Sequence, residues 1–178
     1  MIFMKYLKLI LVLFVFIGCS KQGEKQANEL LSKSFFLQKS INEINTVQVE
    51  NAFSKYQDNI DLVKKCVSTI ENEFARRMNN YKGLKKACPN LLTNYNLTKR
   101  NLETEINQIK MLKLDLSNNL IPSDSILYYI EMEEKNLQKI SDDLLDILNL
   151  YDFVISTNDS LYLPIKNFAE KECSKNEI

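Results

Sequence analysis

The stretch VENAFSKYQDNIDLVKKCVSTIENEF, residues 49–74, decides the fold class. Its apolar residues fall at Val49, Phe53, Tyr56, Ile60, Val63, Val67, Ile70 and Phe74, in alternating steps of four and three. Such spacing places them on one stripe of a helix and forms a heptad seam, so it predicts a long amphipathic helix with one face buried against partners. The seam runs on to Met78 and Tyr81 with two successive steps of four around Phe74, a stutter that locally unwinds a supercoil. Gly83 and Pro89 are expected to end this helix, with KKACPN as the turn.

Two further seams follow. One runs through Tyr95, Leu102, Ile106, Ile109, Leu116 and Leu120 and stops at Pro122; the other runs through Ile126, Ile130, Leu137, Ile140, Leu144, Ile147, Tyr151 and Val154. Residues facing each other across an antiparallel hairpin have position numbers with a nearly constant sum. Leu120 with Ile126, Leu116 with Ile130, Ile109 with Leu137, Ile106 with Ile140, Leu102 with Leu144 and Tyr95 with Tyr151 share one such sum. These seams therefore mirror each other about Pro122, with Ser123 or Asp124 capping the later helix. The same test pairs Phe53 with Leu120, Val63 with Ile109 and Ile70 with Leu102 across a first hairpin. The expected fold is all-α: an antiparallel, coiled-coil-like bundle of three long helices plus short flanking helices.

The flanking helices are read from Leu30, Ser34, Leu37, Ile41 and Ile44, ahead of a cap at Asn45 or Thr46, and from LYLPIKNFAEKEC, a short final helix beginning near Pro164 after a break at STNDS. Within the second hairpin the mirrored seam positions Lys113 and Glu133 are polar. Either they meet as a core pair that fixes register, or both snorkel outward while Leu112 fills the core.

Composition narrows the function classes. The 178 residues carry 23 Lys plus Arg against 23 Asp plus Glu, which argues against a nucleic-acid partner, since that needs a basic face. Histidine is absent, so the commonest general base, the usual nitrogen ligand for zinc and every Ser-His or Cys-His nucleophile pair are missing. The chain is expected to be no enzyme and to hold no cofactor or metal. The acidic runs Glu131, Glu133, Glu134 and Ser141, Asp142, Asp143 read as solvated helix faces, and Phe35 and Phe36 as core residues or a partner contact.

At the amino end, Lys5 and Lys8 precede the apolar run Leu9–Ile17 and then FIGC, Phe16–Cys19. The run is less than half of the ~20 apolar residues that span a bilayer, and a short apolar core behind positive charge is the pattern of a secretory signal. FIGC resembles the lipobox of bacterial lipoprotein precursors, which signal peptidase II cuts ahead of a lipidated cysteine; Phe16 stands where leucine is usual. An uncleaved anchor and an ordinary secretory peptide are the alternatives. The resemblance implies a signal peptide over 1–18, lipidation at Cys19, a linker over 19–26 and one helical domain over 27–178. It also implies a place in the cell envelope, with Ser20 after the anchor resembling sorting to the outer membrane, on its periplasmic face or at the cell surface.

An oxidising compartment leaves Cys66, Cys88 and Cys173, enough for one internal disulfide. A Cys88–Cys173 bond competes with three unpaired thiols. Asp124–Ile126 and Asp159–Leu161 are similar to the Asp-Ser-aliphatic sequon for O-glycosylation in Bacteroidetes, which would fall on Ser125 and Ser160; Asp-Ser is also ordinary capping chemistry. The Asn- and Lys-rich texture resembles small helical lipoproteins of that phylum and implies no activity. The function expected is that of a membrane-anchored structural or protein-binding module with an envelope protein partner. Two alternatives are a surface adhesin or host-factor binder, as in helical spirochaete lipoproteins of similar composition, and a carrier of an apolar ligand.

Overall fold

The computed structural model describes residues 2–176, with side chains from Lys21 to Lys175, so the expected leader and Cys19 lie outside the described side chains. The elements are α1 (Ile2–Asn42), α2 (Thr46–Cys66), α3 (Asn72–Lys82), α4 (Leu84–Ser117) and α5 (Ile126–Asn176). The all-α expectation holds, and no strand occurs among the described residues. Among them, too, no helix is long and apolar enough to cross a membrane. The chain divides into two compact units, unit 1 from Met1–Ile41 and Thr98–Asp143, unit 2 from Asn42–Leu97 and Leu144–Ile178.

Unit 1 is a three-helix arrangement. Gly23 abuts Ile126 and Lys33 pairs with Glu134 at 3.6 Å, so α1 and the first half of α5 advance together, in parallel. Gly23 also abuts Leu116, while Lys110 lies 5.7 Å over the Phe35 ring, so α4 runs against α1. Leu30 and Ile41 from α1, Leu102, Ile109 and Leu116 from α4, and Ile130, Leu137 and Ile140 from α5 are buried in its core. From Lys21 onward the expected linker is helix in α1, with Gly23 buried: a Cβ there would lie 2.8 Å from Ile126 Cγ2, which explains a residue that otherwise weakens a helix.

The end of α4 is set by Asn119, which adopts φ 53 in the left-handed region. Asparagine tolerates that region better than other residues with a Cβ. The Asn119 N–H bonds Leu116 O and the Leu120 N–H bonds Asp115 O, the Schellman pattern that satisfies the last carbonyls. The cap of α5 falls at Ser125, one or two residues later than expected: its carbonyl accepts the Tyr129 N–H.

Unit 2 repeats the three-helix theme with another register. The Tyr151 hydroxyl donates to Gln48 Oε1 at 2.7 Å, Asn59 Nδ2 donates to Tyr162 O at 2.9 Å, and Cys66 is bonded to Cys173 with Cα atoms 4.6 Å apart. Each step up α2 is thus a matching step up α5, and the two are parallel. Phe74 stacks on Phe168 at 4.0 Å, while Gly83 meets Phe153, so α3 and the start of α4 run the other way.

Three sequence expectations are corrected. The first reversal lies at Val67–Glu71 and not at Gly83–Pro89: Val67 is extended (φ −100, ψ 105) and Ile70 points to solvent. Val-Ser-Thr-Ile combines β-branched residues of weak helix propensity with hydroxyls that compete for backbone bonds, and the apolar period of the stretch concealed this. The predicted pairing of Phe53 with Leu120 and its companions fails with it. Pro89 sits inside α4 and Pro164 inside α5, and both helices run on through them, each giving up one backbone bond. STNDS is helical as well, with the Ser156 and Ser160 hydroxyls turned back onto Phe153 O and Ser156 O. Finally, Cys173 pairs with Cys66, while Cys88 is a buried free thiol.

Peptide mapping of the oxidised protein should recover Cys66 linked to Cys173. Replacing both by serine should lower stability by ~2–5 kcal/mol in a denaturant titration, the upper end being the chain-entropy value for a loop of this length. A map that links Cys88 to Cys173 would contradict the parallel α2–α5 pairing.

Candidate functional site

Unit 1 buries two carboxyls. Glu105 of α4 is 4 % exposed and Glu133 of α5 is 7 % exposed. They lie close enough for Glu133 to act on Glu105. Burial first, then the hydrogen bond to Glu133 and its charge, push the Glu105 carboxyl up to about 8, against a smaller opposing effect of a hydrogen bond from Asn136. Glu105 Oε1 and Glu133 Oε2 find no partner among the described residues.

This replaces the expected Lys113–Glu133 pair. Leu112 is buried, Lys113 is half-buried, and no ion pair among the described residues joins it to Glu133. The helices are offset from the mirrored register, so Glu133 faces Glu105. Glu105 was missed because the seam was read through apolar residues alone. Its signal was present: Glu105 is three residues after Leu102 and four before Ile109, on the face both occupy.

The pair lies beside an open groove of about 670 Å³ between α4 and α5, whose lining includes Met111, Leu112, Ile121, Met132 and Glu133. A second groove of about 520 Å³ lies between α1 and α5, lined by Leu30, Lys33, Phe36, Leu37, Glu134 and Leu137 among others. Phe36 stands 69 % exposed at its edge and Phe35 is half-exposed, so neither is the core residue the sequence suggested. Glu134 accepts the Lys33 ion pair across this groove and Asp142 accepts from Gln138 at 2.8 Å, so the acidic runs are, apart from Glu133, helix-face residues.

Unit 2 has its own polar node. Asn59, 2 % exposed, donates through Nδ2 to the Tyr162 carbonyl and to the Tyr81 hydroxyl at 3.3 Å. Burial pushes the Tyr81 hydroxyl up to about 12, so it stays neutral and serves as a structural hydrogen-bonding group. Burial likewise pushes the Cys88 thiol up to about 11, which removes the thiolate needed for reactivity. Ser125 lies in the turn before α5 with Oγ 3.0 Å from Asp124 Oδ1, whereas Ser160 is mid-helix, not at the turn expected of it. Among the described residues no three His, Cys, Asp or Glu side chains gather as metal ligands.

Comparison of the chain with protein families, curated proteins and solved structures finds no match.

The carboxyl pair makes stability depend on pH, with a definite sign. A carboxyl whose folded value lies above its unfolded 4.5 contributes stability that is complete below 4.5 and lost as pH rises through about 8. Thermal unfolding should therefore show the wild type losing on the order of 2 kcal/mol between pH 5 and pH 8.5. Glu105→Gln should flatten that slope and raise stability at pH 8.5. An unchanged slope in the variant would remove Glu105 as its cause.

Proposed function

We propose that this chain is a lipid-anchored, non-catalytic binding module of a bacterial cell envelope, tethered through Cys19 and engaging an envelope protein through unit 1. The tether rests on the sequence: positive charge, a short apolar run and FIGC ahead of the first described side chain. The observation that carries the binding role is Phe36, a large aromatic left exposed over a groove floored by Leu30, Leu37 and Leu137 and edged by the Lys33–Glu134 pair. An apolar centre with a charged rim is the anatomy of a protein interface, and aromatic side chains supply most of its hot spots. A segment presenting one apolar face along α1 and α5 fits this groove.

The same groove favours one second reading, carriage of an apolar ligand, because it offers apolar walls that such a ligand could line. Native mass spectrometry separates the two by showing or failing to show co-purified lipid.

The test is crosslinking in intact membranes followed by recovery of tagged protein. One dominant envelope partner should be recovered with the wild type, lost with Cys19→Ala and reduced roughly tenfold with Phe36→Ser. Equal recovery from wild type and Phe36→Ser would take the binding face away from this groove.

A further inference from the structure

The turn between α4 and α5 closes unit 1 at the place where the described part of α1 begins. Gly23 is packed against Leu116 and Ile126, the residues that flank this turn, at would-be Cβ distances of 3.2 and 2.8 Å. Cys19 precedes Gly23 by four residues, at most ~14 Å of chain in any conformation. A lipid on Cys19 would therefore enter a bilayer beside the turn.

The side chains that the turn leaves exposed are ones that a bilayer accepts. Leu120 is 68 % exposed, Leu127 58 % and Tyr128 65 %, with Ile121 and Pro122 between them. From Ser117 to Tyr129 the only charged residue is Asp124. The exposure of Leu120 is not a by-product of the helix cap. A Schellman motif often packs the residue in its position on an apolar side chain at one of two places in the last turn; here these are Asp115 and Leu114, and Leu114 and Leu120 stay 50 % and 68 % exposed. Tyrosine favours the headgroup level, and the exposed Lys21 of α1 suits anionic headgroups, while Lys25 pairs with Glu29 at 3.9 Å.

We propose that the α4–α5 turn is a membrane-inserting tip, in which Leu120, Leu127 and Tyr128 enter the headgroup–acyl boundary of the leaflet that holds the Cys19 lipid. This rests on the anchored reading above and extends it. The tip is a second attachment that fixes how unit 1 stands on the bilayer, where acyl chains alone would leave it free to swivel. Apolar side chains at an interface and a covalent lipid add as independent contributions to membrane binding.

The chain has no tryptophan, so one introduced at the tip reports alone. Protein carrying Leu120→Trp is purified from membranes, its mass is measured for lipid on Cys19, and it is reconstituted into anionic vesicles whose acyl chains are brominated near the headgroup. The control is Phe36→Trp, about 20 Å further along α1. The expected result is a blue shift and strong loss of fluorescence for Leu120→Trp, with neither for Phe36→Trp. Lipidated protein with unquenched Leu120→Trp overturns the tip and leaves the anchor standing. A mass without lipid overturns the anchor, and the tip with it.

Discussion

The chain's reversal between Cys66 and Asn72 is the constraint on which the remaining pairings depend. Ending α2 there sends α3 back against it, so that when α5 returns it lies parallel to α2. That parallel relation brings Cys66 to Cys173, Gln48 to Tyr151 and Asn59 to the Tyr162 carbonyl. Had the helix run on to Gly83, these partners would stand on segments with no common register. The disulfide closes a separation of 107 residues and so restricts the unfolded chain as much as it fastens the folded one.

Within unit 1 the corresponding choice of register is marked by Glu105 and Glu133. Two buried carboxyls with unpartnered oxygens oppose stability, and an apolar pair of similar shape would cost less. Their presence is in keeping with polar layers in coiled coils that trade stability for one pairing over its neighbours. A one-turn slip of α4 along α5 would separate the two carboxyls and leave each to be desolvated without the other beside it. The pair thus joins a structural role to sensitivity near neutral pH.

How much of this was legible depends on which signal each residue carries. The α5 seam from Ile126 to Val154 was readable because an unbroken apolar period has one helical interpretation. Asn59 and Glu105 were not, since polar residues on a buried face look in a one-dimensional pattern like members of the solvated face. The reversal after Cys66 was concealed by Val67, Ile70 and Phe74 keeping the heptad count, while the competing signal, a Val-Ser-Thr-Ile run, is weak. Pro89 and Pro164 misled in the opposite direction, because packing on both sides of each carries the helix through the one backbone bond it forfeits. Cysteine connectivity follows from topology and so could be read only once the topology was known.

The Phe36 groove and the apolar turn both lie in unit 1, so the register of that unit is the claim to measure. In protein with Cys88→Ser and the native disulfide retained, cysteines are placed either at Glu105 and Glu133 or at Lys113 and Glu133, and each pair is treated with a short bismaleimide. The structure predicts rapid crosslinking of the first pair and little of the second, since Lys113 stands about 12 Å further along α4. Efficient crosslinking of Lys113→Cys to Glu133→Cys, with the other pair unreactive, would restore the mirrored register and contradict the account.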